Sequence, residues 1–228
     1  MKYSVCLEEV ETRWVGHVLE LPGCFSSTNE QKEAIAQIPQ AISQYYAWVK
    51  DHGGQYHSDS SDTTLDILEI AREWAFPPHP DYVVNAFFAS DAEPLREDEI
   101  NNLLHLLEWS YHDLLESSHG LSQKIMHTPV EDEWDIEGIL CHTSRAAWWY
   151  LDRLDMAPKP ETEPKTWLES LEMTKDQLAA ILPKLAGMSK IEMDQGELWS
   201  PRKMVRRSLW HLRDHTAHIY QFRSRLGV

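Results

Sequence analysis

The sequence predicts an α+β chain of two domains, a small β-β-α-β-β domain over residues 1–92 and an all-α four-helix bundle over 93–228. Three observations predict it. Apolar residues alternate with a period of two through much of the first ninety residues. From residue 96 the spacing changes to three and four, the period of a helix face. Proline, glycine and polar stretches punctuate the segments between.

In the first half, Tyr3, Val5 and Leu7 share one face of a first strand, and residues 13–21 make a second after a turn at 9–12. Leu21-Pro22-Gly23-Cys24 ends that pair. Thr28-Asn29-Glu30-Gln31 reads as a capping box. The helix after it carries Ile35, Ile38, Ile42, Tyr45, Tyr46 and Val49, contains Pro39, and closes at Gly53-Gly54. Residues 55–63 read as a loop. Strand-like stretches follow at 65–74 and 82–89, and Pro77-Pro78-His79-Pro80 between them argues against a tight two-residue hairpin. This order predicts one helix packed on an antiparallel sheet.

Residues 19–53, LELPGCFSSTNEQKEAIAQIPQAISQYYAWVKDHG, resemble the HicB family of antitoxin-type domains. Shared features are a strand ending in LPGC, a short loop, a capped helix with paired alanines and a glycine after it, within a similarity spanning about 3–90. The resemblance implies binding to a small toxin ribonuclease or another protein partner. The separate DNA-binding segment that relatives often carry is not seen in this sequence.

In the second half, residues 97–117 carry Ile100, Leu103, Leu104, Leu107, Trp109 and Leu114, and 136–154 carry Ile139, Leu140, Ala146, Trp149, Tyr150 and Leu154. Residues 167–185 carry Leu168, Leu171, Leu178, Ile181 and Leu185, and 200–226 form the longest helix, with Pro201 in its first turn. A longer link around 119–133 and a short proline-rich one at 158–164 complete a four-helix bundle.

Composition bounds the chemistry. The formal net charge of −16 argues against nucleic-acid binding. No segment reaches the length of a membrane span, and the N-terminus does not read as a signal peptide, which predicts a cytoplasmic protein. Three cysteines without a CxxC predict neither a disulfide framework nor a thiolate zinc site.

The last helix holds His211, His215 and His218 within eight residues. His211 and His215 stand at i, i+4, a spacing that lets two imidazoles reach one ion. Asp214 and His218 form a second such pair. These donors suit zinc, nickel, iron or manganese. A third ligand must come from another helix, and His142, between Ile139 and Ala146, is the best candidate, weighed against a core histidine that has found a hydrogen bond. Three protein ligands would leave a coordination position for water or substrate. Leu212 stands where the zinc peptidases carry their glutamate, so that activity is excluded.

Residues 135–154, DIEGILCHTSRAAWWYLDRL, and 199–226, WSPRKMVRRSLWHLRDHTAHIYQFRSRL, resemble the second and last helices of DinB-like proteins (the YfiT/DinB superfamily), a similarity spanning 96–228. The resemblance implies a four-helix bundle of DinB-like type holding one divalent metal through His142, His211 and His215; zinc or nickel is expected ahead of manganese or iron. Some relatives use an acid and a histidine four apart, which points instead to Asp214 and His218. In the first register His218, and Asp214 beside it, would assist proton transfer. The activities implied are thiol-dependent transfer, isomerisation or hydrolysis, with a low-molecular-weight thiol as co-substrate, and homo-oligomers are common in both resembled families.

Residues 202–225 hold seven basic residues against Asp214 as the one acid. Arg206, Arg207 and Arg213 are candidates to hold a small anionic substrate. The competing expectation is a solvated face paired with acids such as Glu97, Asp98 or Asp152. Cys141 lies about 100° around the helix from His142 and reads as buried and inert. His105 and His112 are weaker candidates to support the site, and Trp148, Trp149, Trp199 and Trp210 read as core or rim packing. A rival reading is a non-enzymatic interaction protein whose metal only holds the helices together.

Overall fold

The computed structural model describes residues 1–10, 12–55, 63–129 and 134–228. Glu11 of the expected first turn, most of the expected loop at 55–63 and the end of the expected 119–133 link lie outside the described residues. Strands and helices are both present, as an α+β chain requires, and the residues cluster into two units. The first comprises 1–93 together with 193–198, and the second comprises 94–192 and 199–228.

The first unit is built on β1 (Lys2–Val10), β2 (Arg13–Val18), β3 (Phe25–Thr28), α1 (Gln31–Asp51) and β4 (Thr64–Ala71), with a sheet order of β3-β2-β1-β4. Strands β1, β2 and β3 are antiparallel, whereas β4 runs parallel to β1, so the sheet is mixed rather than antiparallel. The second strand ends at Val18, three residues short of expectation. Two turn hydrogen bonds, from Leu21 N to Val18 O at 3.2 Å and from Cys24 N to Leu21 O at 2.8 Å, divert the chain there, with Gly23 at φ +82°. This reversal creates β3, which the sequence pattern did not announce because four residues carry too little alternation. Thr28 therefore belongs to a strand and does not cap the helix; its hydroxyl donates to the Glu30 carbonyl at 2.8 Å, and the α1 N-cap is Glu30 without a side-chain bond.

Helix α1 runs through Pro39, whose ring is exposed, and buries Ala34, Ile38, Ile42 and Tyr45. It packs on β2 and β3, and Gly16 is the close-approach point: an added Cβ there would meet Ser26 Oγ at 3.0 Å and Ile38 Cδ1 at 3.1 Å.

Two short hairpins complete this unit. β5 (Trp74–Phe76) and β6 (His79–Val84) pair antiparallel, with Phe76 opposite His79, so Pro77-Pro78 forms a two-residue connection after all. Prolines are tolerated there because turn positions need no ladder donor. The second hairpin joins β7 (Glu192–Asp194) to β8 (Glu197–Trp199) and was not foreseen. Its turn residues Gln195 and Gly196 both have positive φ, the geometry that matches strand twist. The buried Glu197 carboxylate accepts hydrogen bonds from the Tyr82 hydroxyl and, at 3.5 Å, from Asn85 Nδ2.

The sheet face opposite α1 carries a buried acid–imidazole pair. Glu8 Oε1 lies 2.7 Å from His17 Nε2, and Glu8 Oε2 accepts the Ala86 N–H at 3.3 Å. Glu69 Oε1 accepts the Ala89 N–H at 2.8 Å. These carboxylates fasten 86–89 across the sheet, with Phe88 buried at 6.2 Å from the His17 ring.

The second unit contains α2 (Glu97–Ser118), the short α3 (Gln123–Met126), α4 (Ile136–Asp152), α5 (Trp167–Ile181) and α6 (Pro201–Leu226). Side-chain caps start several of them. Asp135 accepts from Gly138 N at 2.7 Å, Thr166 from Glu169 N at 3.1 Å and Ser200 from Lys203 N at 3.1 Å. The helix expected over 167–185 breaks at Ile181 into a 3₁₀ turn at Leu182–Leu185, where Pro183 cannot continue the α pattern. Helix α4 packs against α5 and α6, and α2 against α6 and α5. No helix among the described residues is long and apolar enough to cross a membrane.

Tyr111 of α2 is buried in this core. Burial pushes its pKa well above the ordinary value, against a smaller lowering by its hydrogen bond with Thr174. The folded state therefore binds this proton more tightly than the unfolded chain does. Its contribution is complete below about pH 10, the unfolded tyrosine value, and is lost above it at up to ~1.4 kcal/mol per pH unit. Tyr111→Phe is expected to flatten the alkaline fall in unfolding midpoint; an unchanged profile would show that another group governs it.

Candidate metal centre

Helix α6 is well specified locally. Ser200 caps it, Pro201 occupies its first position, and Gly227 ends it in the left-handed conformation at φ +72°. Its inner face buries Val205, Leu209, Leu212, Ile219 and Phe222, and on that framework His211 and His215 lie one turn apart. Helix α4 supplies His142, beside the buried Ile139 and Thr143.

The three imidazoles converge. His211 Nε2 is 3.0 Å from His142 Nε2 and 3.0 Å from His215 Nε2, and the ligand atoms of all three lie within 4.8 Å of one another. Among the described residues this is the one group of three or more His, Cys, Asp or Glu side chains that could hold a metal ion. A neutral imidazole nitrogen offers one proton or one lone pair. A proton on His211 Nε2 can point at one neighbour, whereas a cation can be shared by three lone pairs. Metal–nitrogen bonds of about 2.0–2.1 Å at tetrahedral angles put ligand nitrogens ~3.3 Å apart, close to the spacing found. The donor set thus fits a divalent transition metal.

Asp214 and His218 do not join this group. From the 100° step of a helix, their mean direction is turned about 60° from that of His211 and His215. His218 is half-buried and stacks on His215, with ring centroids 6.2 Å apart. Asp214 is buried at the edge of the same face.

Aromatic rings surround the histidines unevenly. Tyr150 and Trp210 are buried, with centroids 5.8 Å and 5.7 Å from that of His211. Trp134, just before the α4 cap, lies 4.7 Å from the His142 ring and is 57% exposed. Sequence reading missed Trp134. The available signal was a tryptophan next to a capping aspartate, eight residues before the histidine.

The basic cluster is a solvated face only in part: Arg225 is exposed, whereas Lys203 and Arg207 are buried. Arg202 donates to Glu99 at 2.7 Å and to the Pro94 carbonyl, while Asp98 meets Arg96 and Asp152 meets Arg153. Arg223 donates to the Ser117 carbonyl at 3.0 Å. Lys203 is fully buried with Nζ 4.5 Å from the Trp199 ring centre, and Arg207 is buried over Trp210 at 4.2 Å. Arg206 and Arg213 are half-buried.

Cys141 is half-buried and outside the ligand group; burial first, then Glu137, pushes its thiol pKa up, so it stays protonated at neutral pH. His105 and His112 are exposed on α2 and do not face its buried side. Trp199 and Trp210 are core residues, whereas Trp148 is exposed and Trp149 half-buried.

No family model, no curated protein and no solved structure matches the chain.

Proposed function

We propose that the second unit is a DinB-like four-helix bundle that binds one divalent metal through His142, His211 and His215, with zinc or nickel the preferred ion. The observation that carries this is the mutual approach of three Nε2 atoms from two helices. The three ligands are neutral, so they leave the double positive charge uncompensated and favour an anionic further ligand. Such an ion lowers the pKa of a bound water or thiol and so supplies a nucleophile at neutral pH.

The chain's own residues then have distinct parts. The histidines fix the ion, and Tyr150 and Trp210 exclude water from the His211 side. His218, which stacks on His215, is the residue assigned to pass a proton at the edge of the site, a reading that this stacking supports. By the 100° helix step Arg206 and Arg213 lie on the side of α6 away from His211 and His215, and Arg207 is buried over Trp210, so an anionic substrate is drawn by the ion itself rather than by these arginines. The resulting activity is a metal-dependent thiol transfer or hydrolysis.

A second reading concerns the first unit. Its sheet ends at β4, where Leu68 and Ile70 are both about half exposed, a surface suited to a HicB-like protein partner. In that case the metal only ties α4 to α6.

Metal analysis of the full chain, prepared without a histidine tag, tests the primary reading. About one zinc or nickel ion per chain is expected, with an unfolding temperature that falls on chelation and recovers on re-addition. A chain that takes up no divalent ion would overturn it.

A further inference from the structure

We propose that Trp134 forms the selectivity wall of the three-histidine centre, and that its substrate carries a flat, uncharged, aryl-like group that lies on the Trp134 ring. This rests on reading the centre as a metal site.

The direction of approach follows from burial. His211 and His215 are buried, and the rings against His211 are buried with them. His142 is the half-exposed member of the three, and the aromatic ring against it is the exposed Trp134. A molecule arriving from solvent therefore meets the His142 side first. Single exposed tryptophans are ordinary on protein surfaces. This one is distinguished by a 4.7 Å centroid contact with a ligand imidazole.

Its position is built into the backbone. Gly138 stands in the first turn of α4, where an added Cβ would lie 3.2 Å from Trp134 Cβ and 3.0 Å from Asp135 Oδ1. Glycine in a helix is unfavourable by roughly 0.8–1.0 kcal/mol relative to alanine. Here it gives room for the tryptophan to fold back and for Asp135 to cap the helix at 2.7 Å.

Charge selects the kind of ring. Asp135 and Glu137 follow Trp134 in sequence, with His127 nitrogens at 3.5 Å and 3.3 Å from their carboxylates. An anionic substituent near Trp134 comes into the neighbourhood of these two carboxylates, which share one imidazole between them, whereas an uncharged ring meets no such repulsion. The substrate class is thus a donor that reaches the metal, carried on a benzyl-like group.

The cobalt(II)-loaded full chain tests this, titrated with benzyl mercaptan, mercaptoethanol and para-carboxybenzyl mercaptan and followed by thiolate-to-cobalt absorption. The wild-type chain is expected to favour benzyl mercaptan over both others. Trp134→Ala should weaken benzyl mercaptan by about 3- to 10-fold, the worth of an aromatic pair, and leave mercaptoethanol unchanged. Trp134→Phe should retain most of the preference, and Gly138→Ala, whose Cβ would press on the Asp135 cap and on Trp134 Cβ, should reduce it. Equal selectivity in the wild type and Trp134→Ala, with cobalt bound in both, would overturn this inference and leave the metal reading standing. Failure of the wild-type chain to bind cobalt would overturn both.

Discussion

Replacing His211 with alanine is expected to abolish metal binding. Its Nε2 lies 3.0 Å from those of both other histidines, so it is the hub of the cluster. Loss of an outer-shell partner alone typically costs ~10–100-fold in metal affinity, and loss of a ligand should exceed about 100-fold. At metal concentrations near 100 times the dissociation constant, binding stabilises a fold by ~2.7 kcal/mol, and that increment should vanish with the metal. Elemental analysis and thermal unfolding with and without zinc measure both. Asp214→Ala, which alters the alternative pair, should retain the ion. The opposite outcome, metal kept in His211→Ala and lost in Asp214→Ala, would transfer the site to the other register.

Glu8→Ala should destabilise the first unit by about 3–5 kcal/mol. Both members of the Glu8–His17 pair are buried, and the carboxylate also accepts the Ala86 N–H. Removing it takes this carboxylate away from a buried imidazole and a backbone donor that it accepts from. Replacing both residues with leucine should recover much of the loss, because an apolar pair has no charge to desolvate. Denaturant unfolding of the two variants makes the comparison. A Glu8→Ala variant that unfolds at the same denaturant concentration as the parent chain would show that the pair contributes little.

The long helices were legible because their burial stripes repeat over several turns. The range 200–226, with Pro201 in the first turn, was read close to the observed α6, which Ser200 caps and Gly227 ends. His142, His211 and His215 were legible because helix geometry converts spacing into facing, and one upstream histidine lay among apolar neighbours. What failed was short or non-local. Strand β3 has four residues, and β7 and β8 three each, too few for a period to show. The parallel pairing of β4 with β1 depends on a crossover through α1, which alternation does not encode. The burial of Lys203 and Arg207 was hidden because charge alone suggests solvent, whereas tryptophan rings cover both.

The hairpin that returns residues 193–198 to the first unit also sets an order of events during synthesis. Residues 1–93 leave the ribosome without Glu197, the acceptor for Tyr82 and Asn85. About 100 further residues must be made before it arrives. At roughly 5–20 residues per second, the nascent first unit waits on the order of 5–20 s for its last piece. Any chaperone or protease that reads unfinished chains would meet the first unit in that interval. A gene fragment ending at residue 93 would make the interval permanent.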